Sequence, residues 1–362
     1  MELSSTLAWL VDVASDSAGA DRFLAELGAH LLADGSPLAG GALTLAIPHP
    51  LIAQRTWLWR AGNGEVIEAL GFAPAGPATE TSPPGEAGRQ WLSGLASGPV
   101  HEDTIGPGGN GPSLCWAGPR AFTADETGQL RRAARFAAAP LAAIVARATL
   151  TAALEAYLGR RSAARVMAAP LRRAVGETIE AALLYADLRG FTALSENNAP
   201  AAVIAALDAW FDRIAGAVHA FGGEVLKFIG DGILAIFPIS GGAKRAACHA
   251  ALRAVTAAQA GMAHLDHERS LQGLPPLSFG VALHVGEIFW GNIGAADRLD
   301  FTAIGPAVNL VSRLEGLCRP LGKTVLVSAA LAAETEAPLI AVGKHALRGI
   351  ASPCAVFTLP ET

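Results

Sequence analysis

Two aspartates stand at the ends of short apolar runs, and a glycine-containing turn follows each of them. Asp187 follows the run 181–186, and Asp231 lies in a Gly-Asp-Gly turn after the run 225–229. Turns favour aspartate for its hydrogen bonds to nearby backbone, so either residue alone is consistent with a structural role. Two such carboxylates side by side form a hard-oxygen site for paired divalent cations, the chemistry used on nucleoside triphosphates.

The elements that must position these carboxylates can be predicted from the same segments. The apolar runs are too short for helices and are bounded by glycine and polar residues, which predicts buried strands. The second run predicts a hairpin with residues 230–232 at its tip. Between the aspartates, apolar residues recur at helical spacing from Val203 to Val218, and Gly222-Gly223 supplies a stop. The predicted unit is strand, helix, hairpin.

Three stretches resemble the motifs of one known family, the class III nucleotidyl cyclases. YADLRGFTALSE (185–196) and LKFIGDG (226–232) are similar to its two metal-binding motifs, and DFTAIGPAVNLVSRLE (300–315) is similar to its transition-state helix. The stretches occur in the family's order and cover about residues 178–360. The resemblance implies an α/β catalytic domain over 178–362, built on an antiparallel, ferredoxin-like βαββαβ sheet.

Further strands are predicted in this domain from its remaining apolar segments. They are Ser278–Val285, a hairpin return over Glu287–Gly294, and Thr324–Ser328.

The resemblance also implies a metal and phosphate site. Asp187, Asp231 and the backbone carbonyl of Leu188 would hold two Mg²⁺ or Mn²⁺ ions. Where a turn enters a helix, backbone N–H groups are placed to bind phosphate oxygens. The residues expected to supply them are Arg189, Gly190, Phe191 and Thr192.

The third motif predicts a helix with two polar side chains on one face. Pro306 suits the first helical turn, and Asn309 and Arg313 lie one turn apart. On any helix this pair is consistent with a surface amide and a salt-bridged arginine. The resemblance implies instead that Asn309 orients the ribose and Arg313 stabilises phosphate charge, while Arg348 falls near a position where relatives bind the triphosphate.

Two further positions are implied to bind the purine, namely Lys227 and Thr302. Adenine presents an acceptor at N1 and a donor at N6, which a lysine donor and a threonine hydroxyl can satisfy together. Guanine needs an acceptor such as a carboxylate, and neither position supplies one, so ATP is favoured over GTP. The threonine resembles the subgroup that includes bicarbonate-responsive enzymes, which makes bicarbonate or another small molecule an expected effector.

In this family the metal residues come from one subunit, and the purine pair with the Asn and Arg come from the other. One chain here holds both sets, so a homodimer is expected. The implied activity is that of an adenylate cyclase that forms cyclic AMP. Alternatives are a guanylate cyclase and a catalytically silent nucleotide-binding sensor or interaction protein. Gly222-Gly223-Glu224-Val225 partly matches the signature of a diguanylate cyclase, but the second acidic residue and the aromatic of that signature are missing.

Residues 1–125 form a separate region, and its predicted order of elements resembles the architecture of a small α/β sensor module of GAF or PAS type. A helix is expected over Leu7–Leu32, followed by strands at Ala42–Ile47, Thr56–Arg60, Glu65–Leu70 and Ser113–Trp116. Loops are expected at Ala73–Gly88 and Gly106–Pro112, the second being a connection rather than a phosphate loop. Trp57 and Trp59 share one strand face, where core packing is favoured over lining a ligand pocket.

Residues 126–177 predict a helical linker. Thr123 and Glu126 have the spacing of a capping box, and helical sequence continues to about Ala169. Pro140 is expected to kink or split the helix and Gly159 to form a joint. An apolar seam that could pair two subunits is formed by Leu154, Tyr157, Leu158 and Val166.

Composition limits the remaining possibilities. The chain has 362 residues and a net charge of -5, which suggests two to three domains and gives no basic footprint for nucleic acid. Four scattered cysteines show neither zinc spacing nor a disulfide framework. No signal peptide is visible, and the apolar stretch 137–146 is shorter than a membrane span, so a cytoplasmic protein is expected.

Overall fold

The structure is a computed structural model, in which the chain divides into two units. It describes residues 4–46, 52–72, 85–106, 111–170 and 172–360. The units are Met1–Ala153 and Leu154–Thr362. The division at 125/126 and 177/178 expected from the sequence stays a prediction.

The first unit contains an antiparallel five-stranded sheet with the order β3-β2-β1-β5-β4 among its described residues. In chain order its elements are α1 (Ser5–Asp12), α2 (Ala20–Ala33), β1 (Gly40–Ala46), β2 (Ile52–Arg60), β3 (Val66–Phe72), α3 (Glu86–Leu95), β4 (His101–Thr104), β5 (Ser113–Ala117), α4 (Ala124–Phe136) and most of α5 (Ala138–Leu158), whose residues 154–158 belong to the second unit. The four predicted strands are confirmed, while α3 and β4 were missed. The GAF or PAS assignment stays a prediction.

Two other expectations for this unit have clear outcomes. The helix predicted over 7–32 is two helices, because a 3₁₀ turn at Ala14–Asp16 separates α1 from α2. Trp59 is 3% exposed and its ring lies 6.3 Å from that of Trp116, which confirms core packing. Much of the predicted loops, 73–84 and 107–110, lies outside the described residues.

The linker is helical and is broken at the two predicted places. The capping box is confirmed, since Thr123 Oγ1 accepts from the Glu126 N–H and the Glu126 carboxylate accepts from the Thr123 N–H. α4 ends at Phe136, four residues before Pro140. The ring of a proline clashes with the carbonyl of the residue four positions earlier in a continuous helix, so the helix breaks here. The second break is Gly159, at φ +82°, which separates α5 from α6 (Arg160–Ala168).

α5 is longer than the apolar stretch predicted from the sequence. By length and composition alone it is the one helix among the described residues that could cross a membrane. The expectation that the chain has no transmembrane segment stays a prediction. Leu141 of this helix lies in the core of the first unit, and Arg147 donates to the backbone carbonyl of Ser15.

The second unit is a larger sheet covered by helices. After α6 its elements are β6 (Gly176–Leu188), α7 (Phe191–Asn197), α8 (Pro200–Ala220), β7 (Glu224–Ile229), β8 (Gly232–Pro238), α9 (Lys244–Leu271), β9 (Phe279–Gly294), β10 (Leu299–Ile304), α10 (Pro306–Glu315), β11 (Val325–Ser328), α11 (Ala329–Ala332), β12 (Ile340–His345) and β13 (Cys354–Thr358). The sheet order is β12-β13-β11-β9-β6-β8-β7, and β10 pairs with β9. The antiparallel segment β9-β6-β8-β7 has the order expected of a βαββαβ fold.

One strand prediction in this unit was wrong. Residues 279–294 form the single 16-residue strand β9 rather than a strand and a hairpin return, and the return is β10. Gly286 does not turn the chain; it pairs with Ala181 of β6. A Cβ at Gly286 would lie 2.9 Å from the Ala307 Cβ, so glycine permits the close approach of α10.

Apolar cores lie on both faces of this sheet. One face packs against α8 and α9, with Trp210 at the centre, and the other packs against α10, with Trp290 and Val311. All four cysteines carry free thiols. Because the sheet is fixed on both faces, the turns at its strand ends hold defined directions.

Candidate active site

The ends of β6 and β8 bring the two predicted metal residues together. Ala186 pairs with Ile233, so Asp187 lies opposite Gly232 and beside Asp231. A Cβ on Gly232 would lie 3.4 Å from Asp187 Oδ1, and the charge of Asp231 acts directly on the Asp187 carboxyl group. The paired carboxylates expected from the sequence are present in the fold.

The electrostatics of this pair are those of an unneutralised acidic site. Burial, and then the charge of Asp231, raises the pKa of Asp187 to about 6, against a backbone hydrogen bond from Leu188. No described residue forms a salt bridge with either carboxylate. Neighbouring like charges favour a shared proton or a bound cation. The donor set therefore fits a divalent metal.

Helix α8 fixes the hairpin that carries Asp231. The buried Trp210 indole donates to the Asp231 backbone carbonyl over 3.0 Å. The rings of Phe211 and Phe228 lie 4.5 Å apart. Sequence reasoning found these two α8 residues only as helical spacing and missed their contacts with the site.

A third carboxyl group, that of Glu315, lies close to the pair. Burial, followed by the charge of Asp187, raises the pKa of Glu315 to about 7. The pKa of Tyr185 is also raised, by burial and then by the charge of Asp187. Glu315 ends the third motif, but nothing in its spacing showed that α10 would bring it here.

The turn after Asp187 leads into a helix, as predicted, but one of its expected phosphate donors is already bonded. Gly190, at φ +76°, opens α7. The Arg189 N–H donates to the Ser278 carbonyl over 2.8 Å, so this group is not available to a phosphate. The Arg189 guanidinium donates to the Lys323 carbonyl over 2.5 Å. The predicted phosphate donors are thereby reduced to the N–H groups of residues 190–192.

The two predicted purine residues lie on strands whose side chains meet. The Lys227 ammonium of β7 bonds to the Asp300 carboxylate of β10. Asp300 and Thr302 are two residues apart on one strand and share its face. Thr302 is 8% exposed. Asp300 was missed by sequence reasoning, and it places a carboxylate acceptor beside the lysine.

Helix α10 presents the predicted amide and guanidinium. Pro306 occupies the first helical turn, as predicted. Asn309 is exposed, and Arg313 follows one turn later. A Cβ at Gly349 would lie 3.5 Å from Arg313 Nη1, so the loop that contains Arg348 lies against this guanidinium.

The two predicted sets of site residues are not linked within the chain. Over the part of the chain that the structure describes, no hydrogen bond or ion pair joins Asn309 or Arg313 to Asp187 or Asp231.

Comparison with known proteins assigns this half of the chain. Residues 175–349 match the model of the adenylate and guanylate cyclase catalytic domain. The segment belongs to that family. The matched segment contains the carboxylate pair, the two predicted purine residues, Asn309 and Arg313 of α10, and Arg348.

Individual relatives support the same assignment. An adenylate cyclase of Anabaena cylindrica is 34% identical over 160 residues, 43% of this chain and 31% of that protein. Adenylate cyclase 2 of Rhizobium meliloti (strain 1021) is 30% identical over 206 residues, 56% of this chain and 55% of that protein. A bacterial light-regulated adenylyl cyclase of known structure is 25% identical, with a TM-score of 0.51, over 61% of this chain and 64% of that chain. The chain thus spans about a third and about half of the two sequence relatives.

Proposed function

We propose that the protein is an adenylate cyclase that converts ATP to 3′,5′-cyclic AMP and pyrophosphate. The observation that carries the proposal is the pairing of Asp187 with Asp231 at the end of a cyclase-family sheet. Relatives named adenylate cyclases support ATP as the substrate.

Two Mg²⁺ or Mn²⁺ ions would be held by Asp187, Asp231 and the Leu188 backbone carbonyl. The described residues contain no cluster of three or more acidic, histidine or cysteine side chains that could hold a metal ion. One or two carboxylates completed by substrate phosphates is the usual Mg²⁺ arrangement, so the small donor set fits. The chemistry that two such ions supply is a lowered pKa of the attacking hydroxyl and neutralised phosphate charge.

The remaining residues bind and orient the nucleotide. Asn309 orients the ribose, and the planar guanidinium of Arg313 stabilises charge on the α-phosphate. The N–H groups of residues 190–192 and the side chain of Arg348 bind the other phosphates. The helical spacing of the α10 pair and the contact of Arg313 with Gly349 support these roles.

A homodimer completes each site, with the metal pair from one subunit and the α10 pair from the other. The lack of a direct bond between the two sets within the chain supports this arrangement. Large apolar side chains are also exposed at the β7–β8 hairpin and at the end of β10, as expected of a surface that a second subunit covers. They are Phe228, Ile229 and Ile304.

Base selection rests on Lys227 and Thr302, which together satisfy adenine N1 and N6. Asp300 favours a second candidate, a guanylate cyclase, because its carboxylate is an acceptor for the N1 and N2 hydrogens of guanine. Regulation by residues 1–125, a bicarbonate or other small-molecule effector and a cytoplasmic location stay predictions.

The test is chromatographic measurement of cyclic nucleotide formed by the purified protein with Mn²⁺ and either ATP or GTP. We expect cyclic AMP from ATP in excess over cyclic GTP from GTP. An Arg313→Ala protein prepared identically controls for a contaminating cyclase. Dominant cyclic GTP would establish the second candidate, and no product from either nucleotide would identify a silent nucleotide-binding protein.

A further inference from the structure

Helix α6 is capped by a residue of the catalytic sheet. Its own N-cap is Gly159, which has no side chain to bond the first N–H groups of the helix. Glu224 of β7 caps the helix instead. Its Oε1 accepts hydrogen bonds from the Ser162 N–H over 2.9 Å and from the Ser162 hydroxyl over 2.8 Å. A negative charge at a helix N-terminus is also favourable.

This contact is enclosed by its surroundings. Glu224 is 4% exposed, and a buried carboxylate is costly unless it keeps its hydrogen bonds. Gly159 combines a φ of +82° with close approach, since a Cβ there would lie 2.9 Å from Glu224 Oε1. The joint between α5 and α6 is therefore held against Glu224, the first residue of β7.

One turn later, α6 contacts a second part of the sheet. The Arg165 guanidinium lies over the Trp290 ring of β9, 4.4 Å from its centroid, and bonds to Glu177 over 2.5 Å. Trp290 is 2% exposed, pairs with Ala303 of β10 and packs against Phe301 at 5.7 Å. Thr302 lies between these two β10 residues.

The two contacts of α6 thus involve the strands of the purine residues. Glu224 lies on β7, the strand of Lys227, and Trp290 lies on β9, which pairs with β10, the strand of Thr302. Glu224 lies three residues before Lys227, and a register shift falls between Val225 and Lys227. Such an irregularity redirects the side chains that follow it. Asp231, at the far end of the hairpin, is held separately by Trp210.

We propose that α6 positions the purine subsite, which consists of Lys227 and Thr302. Glu224 is the positioning residue for Lys227, and the contact between Arg165 and Trp290 positions Thr302. The inference rests on the proposed function. Under this proposal, the linker affects how tightly the base binds and which base is preferred. The geometry of the metal pair, Asp187 and Asp231, does not change.

The experiment compares Glu224→Ala and Glu224→Gln in the full-length protein, with steady-state kinetics for ATP and GTP. The glutamine keeps an acceptor for Ser162, whereas the alanine leaves the first turn of α6 uncapped. Glu336→Ala is the matched control, because Glu336 is an exposed carboxylate paired with Arg245. Arg165→Ala tests the second contact independently if Glu224→Ala folds poorly.

We expect Glu224→Ala to raise KM for ATP at least about fivefold and to change the ratio of kcat/KM between ATP and GTP by about threefold or more, with kcat within about twofold. Glu224→Gln should recover most of the loss, and Glu336→Ala should match the unaltered protein. Arg165→Ala should act in the same direction as Glu224→Ala. A merely structural role predicts instead a loss of active enzyme at unchanged KM and base ratio, and that result overturns the proposal.

If the unaltered protein forms no cyclic nucleotide, the proposed function fails and the positioning role is tested by calorimetric titration with ATP. A weaker affinity in Glu224→Ala than in Glu224→Gln then supports the inference. Equal affinities overturn it.

Discussion

A cluster of polar side chains that includes a carboxylate lies on the sheet of each unit. The two clusters differ in the groups that surround the carboxylate. In the first unit, Glu102 of β4 accepts from Arg89 over 2.5 Å and from the Ser113 hydroxyl over 2.6 Å. In the second unit, Asp187 faces Asp231, and its pKa is raised. The Glu102 cluster contains its own cation, whereas the Asp187 cluster has like charges that an external cation would relieve.

The difference separates two uses of acidic residues. A carboxylate matched by arginine and hydroxyl donors contributes to the stability of its own unit. A carboxylate pair held together against its own repulsion is retained for a ligand, since the fold gains nothing from the juxtaposition itself.

The largest expected effect is on catalysis. Replacing Asp187 by Ala should lower cyclase activity by about a hundredfold or more at saturating Mn²⁺, because half of the metal-binding pair is lost. Circular dichroism and light scattering should show an unchanged fold and oligomeric state. Substantial residual activity in this variant would show that the pair does not hold the metals.

Subunit complementation tests whether the pair works with α10 of a second chain. Asp231→Ala and Arg313→Ala should each be inactive. Mixed in equal amounts with free subunit exchange, they should regain about a quarter of normal activity, because half of the dimers are mixed and each has one intact site. Persistent inactivity despite demonstrated exchange would place the complete site within one subunit.

The purine subsite should respond more weakly. Lys227→Glu with Thr302→Cys should lower ATP use at least about tenfold, the effect of losing about 1.4 kcal/mol of base contact. The gain with GTP is measured in parallel. Asp300→Asn is the companion variant, because it removes the carboxylate bonded to Lys227. An unchanged ATP to GTP ratio in the double variant would show that these side chains do not read the base.

The first unit should give the opposite pattern from the metal pair. Glu102→Gln keeps the shape of the side chain but removes the charge that faces Arg89. At this partly exposed site we expect a stability loss of about 1 kcal/mol, with cyclase activity unchanged. Thermal unfolding and the ATP assay measure both quantities. A large activity loss without destabilisation would make the Glu102 cluster part of a functional site.

The fold was predictable where local pattern and tertiary packing agree. Apolar runs bounded by glycine predicted β6 and the β7–β8 hairpin, and Pro140 and Gly159 predicted the helix breaks. The prediction failed at Gly286, because a glycine that admits α10 has the same sequence signal as one that makes a turn. The four polar residues of β4 show no apolar alternation, and their pairing with β5 alone makes them a strand.

The site was predictable to the extent that its residues lie in contiguous motifs. The pairing of Asp187 with Asp231 followed from two strand ends, whereas Asp300 and Glu224 depend on partners 73 and 62 residues away. Such contacts are set by sheet order and helix packing, which spacing along the chain does not encode.

The burial of Asp187, together with its repulsion by Asp231, has a direct thermodynamic consequence. A folded-state pKa of about 6 for Asp187, above its unfolded value, means that this group stabilises the fold below about pH 4 and loses that contribution as pH rises through 6. In the metal-free protein above pH 6, Asp187→Asn should therefore raise stability by about 1 kcal/mol after solvent screening is allowed for.

Thermal unfolding at pH 8, with and without Mn²⁺, tests the cation-binding role of the pair most directly. Without metal, we expect Asp187→Asn to unfold about 2–4 °C above the unaltered protein. With Mn²⁺, the unaltered protein should gain stability through binding, while the variant should gain little. Equal Mn²⁺ stabilisation of both proteins, together with a metal-free variant less stable than its parent, would contradict the assignment of Asp187 and Asp231 as a cation site.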